Sequence, residues 1–152
     1  MSAVDVVARL EAELLSESVD VTRKYRALFA LRNVASESAV RALEKCLLKA
    51  DGDESRAAKE SSALLKHEVA YALGQIGLPS SMPTLERVLS DAHAHPMVRH
   101  EAGEALGALG VPEADPILQR FVDDPVREVA ETCRLALDRL AFFRQRKCVP
   151  VI

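Results

Sequence analysis

Apolar residues recur along this chain at intervals of three and four, and no stretch sustains the strict alternation of a half-buried strand. That spacing predicts amphipathic helices at residues 3–15, 21–34, 38–49, 63–76, 81–90, 97–109, 114–122 and 126–143. In the first of them Val6, Val7, Leu10, Leu14 and Leu15 form the face to be buried. Turn chemistry separates the later segments: Gly77-Leu78-Pro79, His95-Pro96, Gly110-Val111-Pro112 and Asp123-Asp124-Pro125. Glycine just past a helix end and proline near the next start is the expected punctuation. The polar stretch 51–60 reads as an inserted loop, and 147–152 as a C-terminal tail or the start of a linker. Residues 1–146 then form one domain.

The helical pattern also repeats. Lys66-His67-Glu68-Val69-Ala70-Tyr71-Ala72-Leu73-Gly74-Gln75-Ile76-Gly77 returns further on as Arg99-His100-Glu101-Ala102-Gly103-Glu104-Ala105-Leu106-Gly107-Ala108-Leu109-Gly110. An earlier copy, Tyr25-Arg26-Ala27-Leu28-Phe29-Ala30-Leu31, precedes the first at a wider spacing, and the inserted loop accounts for the extra length. A diverged last copy begins near Val126-Arg127-Glu128-Val129-Ala130. Helix pairs at periods of this size cannot bury their apolar faces alone and stack into an α-solenoid. The fold class is therefore all-α, with about four antiparallel helix pairs of the HEAT type, above the minimum of about three for a continuous core.

Composition sharpens that reading. The 152 residues are 49% apolar but only 4% aromatic, without tryptophan, so the core is built of small and medium aliphatic side chains suited to close helix stacking. A net charge of −3 leaves no electrostatic footprint for nucleic acid or an anionic membrane. No apolar run reaches the roughly 18 residues of a membrane span, and the acidic, periodic N-terminus does not read as a signal peptide. The three cysteines form neither a disulfide framework nor a CxxC metal motif. Their odd number suits a reducing compartment, and the chain reads as cytoplasmic. Cys46 and Cys133 fall on core faces, and Cys148 lies in the tail.

The repeated His-Glu pair is the candidate chemistry. Equivalent helices of adjacent repeats pack with axes about 8–10 Å apart, so side chains at matching positions can meet between them. Two histidines and one carboxylate with open coordination positions form the facial arrangement of non-haem iron sites. His67, His100 and one of Glu68 or Glu101 supply that set. Consecutive helical residues diverge by about 100°, so each Glu need not share its neighbour's target; one of them can orient a ligand or engage a substrate instead. The outer repeats lack the pair, with Tyr25-Arg26 in the first and Glu128-Val129 in the last. The HExxH zinc signature is absent, because Tyr71 and Glu104 occupy the i+4 positions. Lys66 and Arg99 are expected to solvate the rim, and His93 and His95 to be exposed in a loop. Gly103, inside a helix, costs about 1 kcal/mol relative to Ala, and close helix packing accounts for it. Without a metal, the same residues describe a HEAT interaction scaffold or a repeat protein related to the bilin lyases.

The strings around these pairs, residues 62–75 and 96–108, with 25–33 and 124–133 flanking them, resemble the deoxyhypusine hydroxylase family. The resemblance covers about residues 20–142 and is specific, because generic HEAT repeats lack these strings. It implies an Fe2+- and O2-dependent monooxygenase with a di-iron centre. The implied substrate is the deoxyhypusine residue of eukaryotic translation initiation factor five A. Metal residues would fall on His67, Glu68, His100 and Glu101, with Glu68 and Glu104 as substrate-contacting carboxylates. The family enzyme has two such halves and this chain contains one, so the resemblance implies completion by a second half or by a homodimer partner.

Overall fold

The computed structural model describes residues 3–49 and 56–147. Eight α-helices follow one another among them: α1 Ala3–Leu15, α2 Val21–Val34, α3 Glu37–Leu47, α4 Arg56–Ile76, α5 Met82–Ser90, α6 Pro96–Leu109, α7 Ala114–Gln119 and α8 Arg127–Lys147. A short 3-10 turn at Pro79–Ser81 leads into α5. No strand occurs among the described residues. The helices α2, α4, α6 and α8 pack in sequence as one layer. Each helix of the second layer (α3, α5 and α7) lies against the first-layer helix that follows it, and α1 covers α2 and α3.

Local signals explain the boundaries. Asp20 and Ser36 accept backbone N–H bonds at the starts of α2 and α3, and His95 Nδ1 accepts one from Met97 at the start of α6, where Pro96 takes the first turn. Gly77 and Gly110, equivalent positions of the two matching repeats, end α4 and α6 with φ of 71° and 68°. That left-handed conformation penalises a Cβ. Two expectations are corrected. Residues 56–60 of the supposed loop are the first turns of α4, because Arg-Ala-Ala-Lys-Glu is a run of good helix formers; residues 51–55 lie outside the described residues. The helix expected at 114–122 stops at Gln119, and α8 begins at Arg127. Asp124, whose Oδ1 accepts from the Val126 amide at 2.9 Å, closes the turn between them. The tail 148–152, with Cys148, lies outside the described residues.

The core is aliphatic, as the composition requires: Leu28, Leu31, Leu43, Leu73, Leu85, Leu89, Leu106 and Leu118 are fully buried. On α1, Val7, Leu10 and Leu14 are buried while Val6 and Leu15 pack at the edge. Cys46 and Cys133 lie in the core, where burial pushes each thiol up to about 11. Among the described residues no helix is long and apolar enough to cross a membrane.

Two features hold α6 in place. The first is backbone proximity. A Cβ on Gly74 of α4 would stand 3.0 Å from Ala105 Cα, and one on Gly107 of α6 would stand 2.7 Å from Ala136 Cβ and 3.1 Å from its Cα. Gly74 and Gly107 are repeat equivalents, so the same close approach is built twice. At Gly103 a Cβ would stand 3.4 Å from Cys133 Sγ and Thr132 Cγ2, ordinary van der Waals contact, so the expected close packing does not by itself require glycine there. The second is an ion pair. Arg99 does not solvate the rim: it is 5% exposed, donates from Nε to the Leu89 carbonyl at 2.9 Å, and forks onto both Asp124 oxygens. Buried charge must be paired, and this pair ties the start of α6 to the end of α5 and to the α7–α8 connection.

Replacing Gly107 by Val is expected to cost about 1–3 kcal/mol through overpacking, whereas Gly103→Ala is expected to be neutral or stabilising by up to about 1 kcal/mol. Urea unfolding of both variants checks the contrast. Burial by itself raises the Asp124 pKa, but the hydrogen bonds from Arg99 and Val126 and the guanidinium charge carry it below its ordinary 3.8. Its contribution is thus complete above that ordinary value and is lost as pH falls through the lower folded one. Asp124→Asn should cost about 3–5 kcal/mol at neutral pH by leaving Arg99 buried and unpaired. The gap from wild type should close on acidification below 3.8, measured as thermal stability against pH.

Candidate metal centre

The first-layer helices present their polar side chains in a ladder. On α4, His67 and Glu68 meet at 3.2 Å, and His67 also reaches across to α6. Burial pushes the Tyr25 phenol of α2 up, and the Glu68 carboxylate nearby pushes the same way. His67 Nε2 lies 3.1 Å from Glu101 Oε2 on α6. His100 Nδ1 in turn lies 2.5 Å from Thr132 Oγ1 on α8. Each of these last two rungs joins the His position of one helix to the Glu position of the next.

That register corrects the assignment of the last repeat. Thr132, not Val129, occupies the rung equivalent to Glu101, and Val129 is fully buried in the core. The sequence match of 126–130 to 98–102 is displaced by nearly one helical turn. A shift of that size keeps the apolar face in phase, so periodicity alone does not reveal it.

The structure brings the four expected residues together unequally. His67 stands between two carboxylates, with Nδ1 3.2 Å from Glu68 Oε1 and Nε2 3.1 Å from Glu101 Oε2. On α6, His100, Glu101 and Glu104 offer one donor atom each, all within 4.8 Å of one another. His100 and Glu104 are one turn apart at i and i+4, and Glu101 and Glu104 are spaced i and i+3, so one helix face gathers all three. Glu101 belongs to both arrangements. Glu68 is not in the group of three and faces the far nitrogen of His67. Glu104, expected as a substrate contact, stands among the donors; its i+4 spacing from His100 is the signal available in the sequence. Its equivalent on α4 is Tyr71, whose hydroxyl accepts from Gln75 Nε2 at 2.7 Å.

The electrostatics suit a cation. Glu101 is 4% exposed. Burial pushes its carboxyl up to about 7, opposed by His67 and aided by Glu104 and Glu68. Two glutamates and a buried third carboxyl facing imidazoles form an arrangement short of positive charge. Donor atoms bonded at about 2.1 Å and at right angles on one ion stand about 3 Å apart, which the His67–Glu101 separation of 3.1 Å matches. Nitrogen and oxygen donors in this mixture suit a divalent first-row metal; His100, Glu101 and Glu104 lie close enough together to hold one such ion, while His67 stands outside that group and reaches it through Glu101. Beside it runs a groove of about 420 Å³ lined by Tyr71, Gln75, Glu101, Glu104 and Arg139. A larger cleft of about 560 Å³ contains none of these donors; Lys59, Lys66, Arg87, His93 and His95 line it. His93 and His95 are exposed there, as expected, though His95 also caps α6.

Comparison with known proteins places this architecture. The family model for HEAT repeats matches residues 55–138. Deoxyhypusine hydroxylase from Danio rerio is 48% identical over 134 residues, which are 88% of this chain and 40% of that protein. The enzyme of that name from Arabidopsis thaliana is 51% identical over 136 residues, 90% of this chain and 40% of that one. The solved structure of human deoxyhypusine hydroxylase in complex with glycerol superposes with a TM-score of 0.84 at 40% identity, covering 97% of this chain and 48% of that one. The chain thus spans about two fifths of the length of the curated relatives it matches. It belongs to the HEAT-repeat family and is a relative of deoxyhypusine hydroxylase over that part of the enzyme's length.

Proposed function

We propose that this chain is a four-repeat half of an iron-dependent monooxygenase that hydroxylates the deoxyhypusine residue of eukaryotic translation initiation factor five A. One observation carries the reading: His67 and Glu101, from adjacent matching repeats, meet at 3.1 Å beside the His100–Glu101–Glu104 group. The similarity to deoxyhypusine hydroxylases supports the same assignment.

His67, His100 and Glu101 would hold Fe2+, with Glu104 as a further donor. Bound iron supplies the reduction and activation of O2. The chain's own residues do the rest. Glu68, against His67 Nδ1, orients that imidazole so that Nε2 faces Glu101. The groove beside the donors, lined by Glu104 together with Tyr71 and Gln75, is placed to receive a long cationic side chain. The apolar packing of α4 on α6 limits water at the donors, since Val69, Ala70 and Ala102 are fully buried behind them. Four donors serve one ion well and two ions poorly. We therefore assign the second iron of a di-iron centre to a second half or a second copy of the chain.

Anaerobic loading with ferrous iron, followed by metal analysis, tests the site. Wild type should retain iron and His67→Ala/His100→Ala should lose nearly all of it; equal iron in both removes the basis of the reading. With O2 and the deoxyhypusine-bearing factor, mass spectrometry should show one added oxygen atom when the complementary half is present and none with the double variant.

A further inference from the structure

We propose that Thr132 is a positioning residue for the metal centre, holding the His100 imidazole so that its Nε2 lone pair faces the donors. The inference rests on the reading of His100 as a ligand. Thr132 is 7% exposed on α8, in the repeat that carries no His-Glu pair, and its Oγ1 is 2.5 Å from His100 Nδ1. Imidazoles that bind metals through one nitrogen commonly donate the other N–H to a fixed acceptor, which sets the tautomer and the ring plane. With Nε2 carrying the free lone pair, Nδ1 carries the hydrogen and donates it to the Thr132 hydroxyl.

The surroundings explain why the residue is threonine. Its Cγ2 packs over Gly103, 3.4 Å from where a Cβ would stand, and Gly103 lies one turn after His100 on the same face of α6. A β-branched side chain has few χ1 choices in a helix. With the methyl seated over Gly103, the hydroxyl is directed at His100. The preceding rung of the ladder holds a carboxylate, Glu101 beside His67. At the end of the ladder a neutral hydroxyl takes the place of the carboxylate. Thr132 and His100 thus act as one unit: acceptor and ligand.

Thr132→Val keeps the shape and removes the acceptor, while Thr132→Ser keeps the acceptor and loses the methyl. Ferrous affinity, measured anaerobically by chelator competition, should fall about 10- to 100-fold in Thr132→Val and only a few-fold in Thr132→Ser. Urea unfolding checks that both variants fold. In the metal-free wild type, ring-nitrogen NMR should find His100 protonated on Nδ1 at alkaline pH, and Thr132→Val should shift it toward the Nε2–H form. Wild-type affinity in Thr132→Val, with affinity lost in His100→Ala, overturns the positioning role alone. Wild-type affinity in His100→Ala overturns the ligand reading and this proposal with it. An Nε2–H tautomer in the metal-free wild type overturns the proposal without recourse to any variant.

Discussion

The approach of α4, α6 and α8 is limited by backbone rather than by bulky side chains, because Gly74 rests on Ala105 and Gly107 on Ala136. That contact fixes both the distance between successive helices and their axial register. Register in turn decides which polar residues face each other: His67 with Glu101, His100 with Thr132. A slide of one residue would carry each partner about 100° around its helix and dismantle the ladder. Apolar burial supplies the drive to stack, and the close approach at Gly74 and Gly107 holds the register.

A site built this way carries an electrostatic cost. Glu101 is buried among carboxylates, and burial with Glu104 and Glu68 pushes its pKa to about 7. The protein holds such a group in a rigid frame, with Arg139 lining the same groove. Arg99, one residue before His100, is spent on Asp124 and the Leu89 carbonyl, where it locks the helix start and leaves the donors to a cation from solution. A buried ion pair of this kind is weak evidence for net stability. Its use here is to fix the position of α6.

Much of the fold is legible in the sequence because HEAT packing depends on a period. Helices α1 and α2 fall where the apolar spacing puts them, and Gly77 and Gly110 mark the ends of α4 and α6 as punctuation predicts. The convergence of His67 with Glu101 follows from the repeat of the His-Glu pair. Arg99 escapes such reading because a charged residue beside a candidate site looks like rim, and only tertiary structure supplies the buried Asp124 opposite it. Thr132 is hidden by a displacement of nearly one turn that leaves hydrophobic periodicity unchanged. Glu104 is visible by its i+4 spacing from His100, yet its place among the donors depends on rotamers that spacing does not encode.

The central claim is that adjacent repeats jointly supply the ligands of one metal ion. Iron-edge X-ray absorption of the chain loaded with Fe2+ without oxygen tests it most directly. The account predicts a shell of nitrogen and oxygen only, with imidazole scattering that weakens in His67→Ala and in His100→Ala, each taken singly. A sulfur ligand, or imidazole scattering unchanged in both single variants, would contradict it.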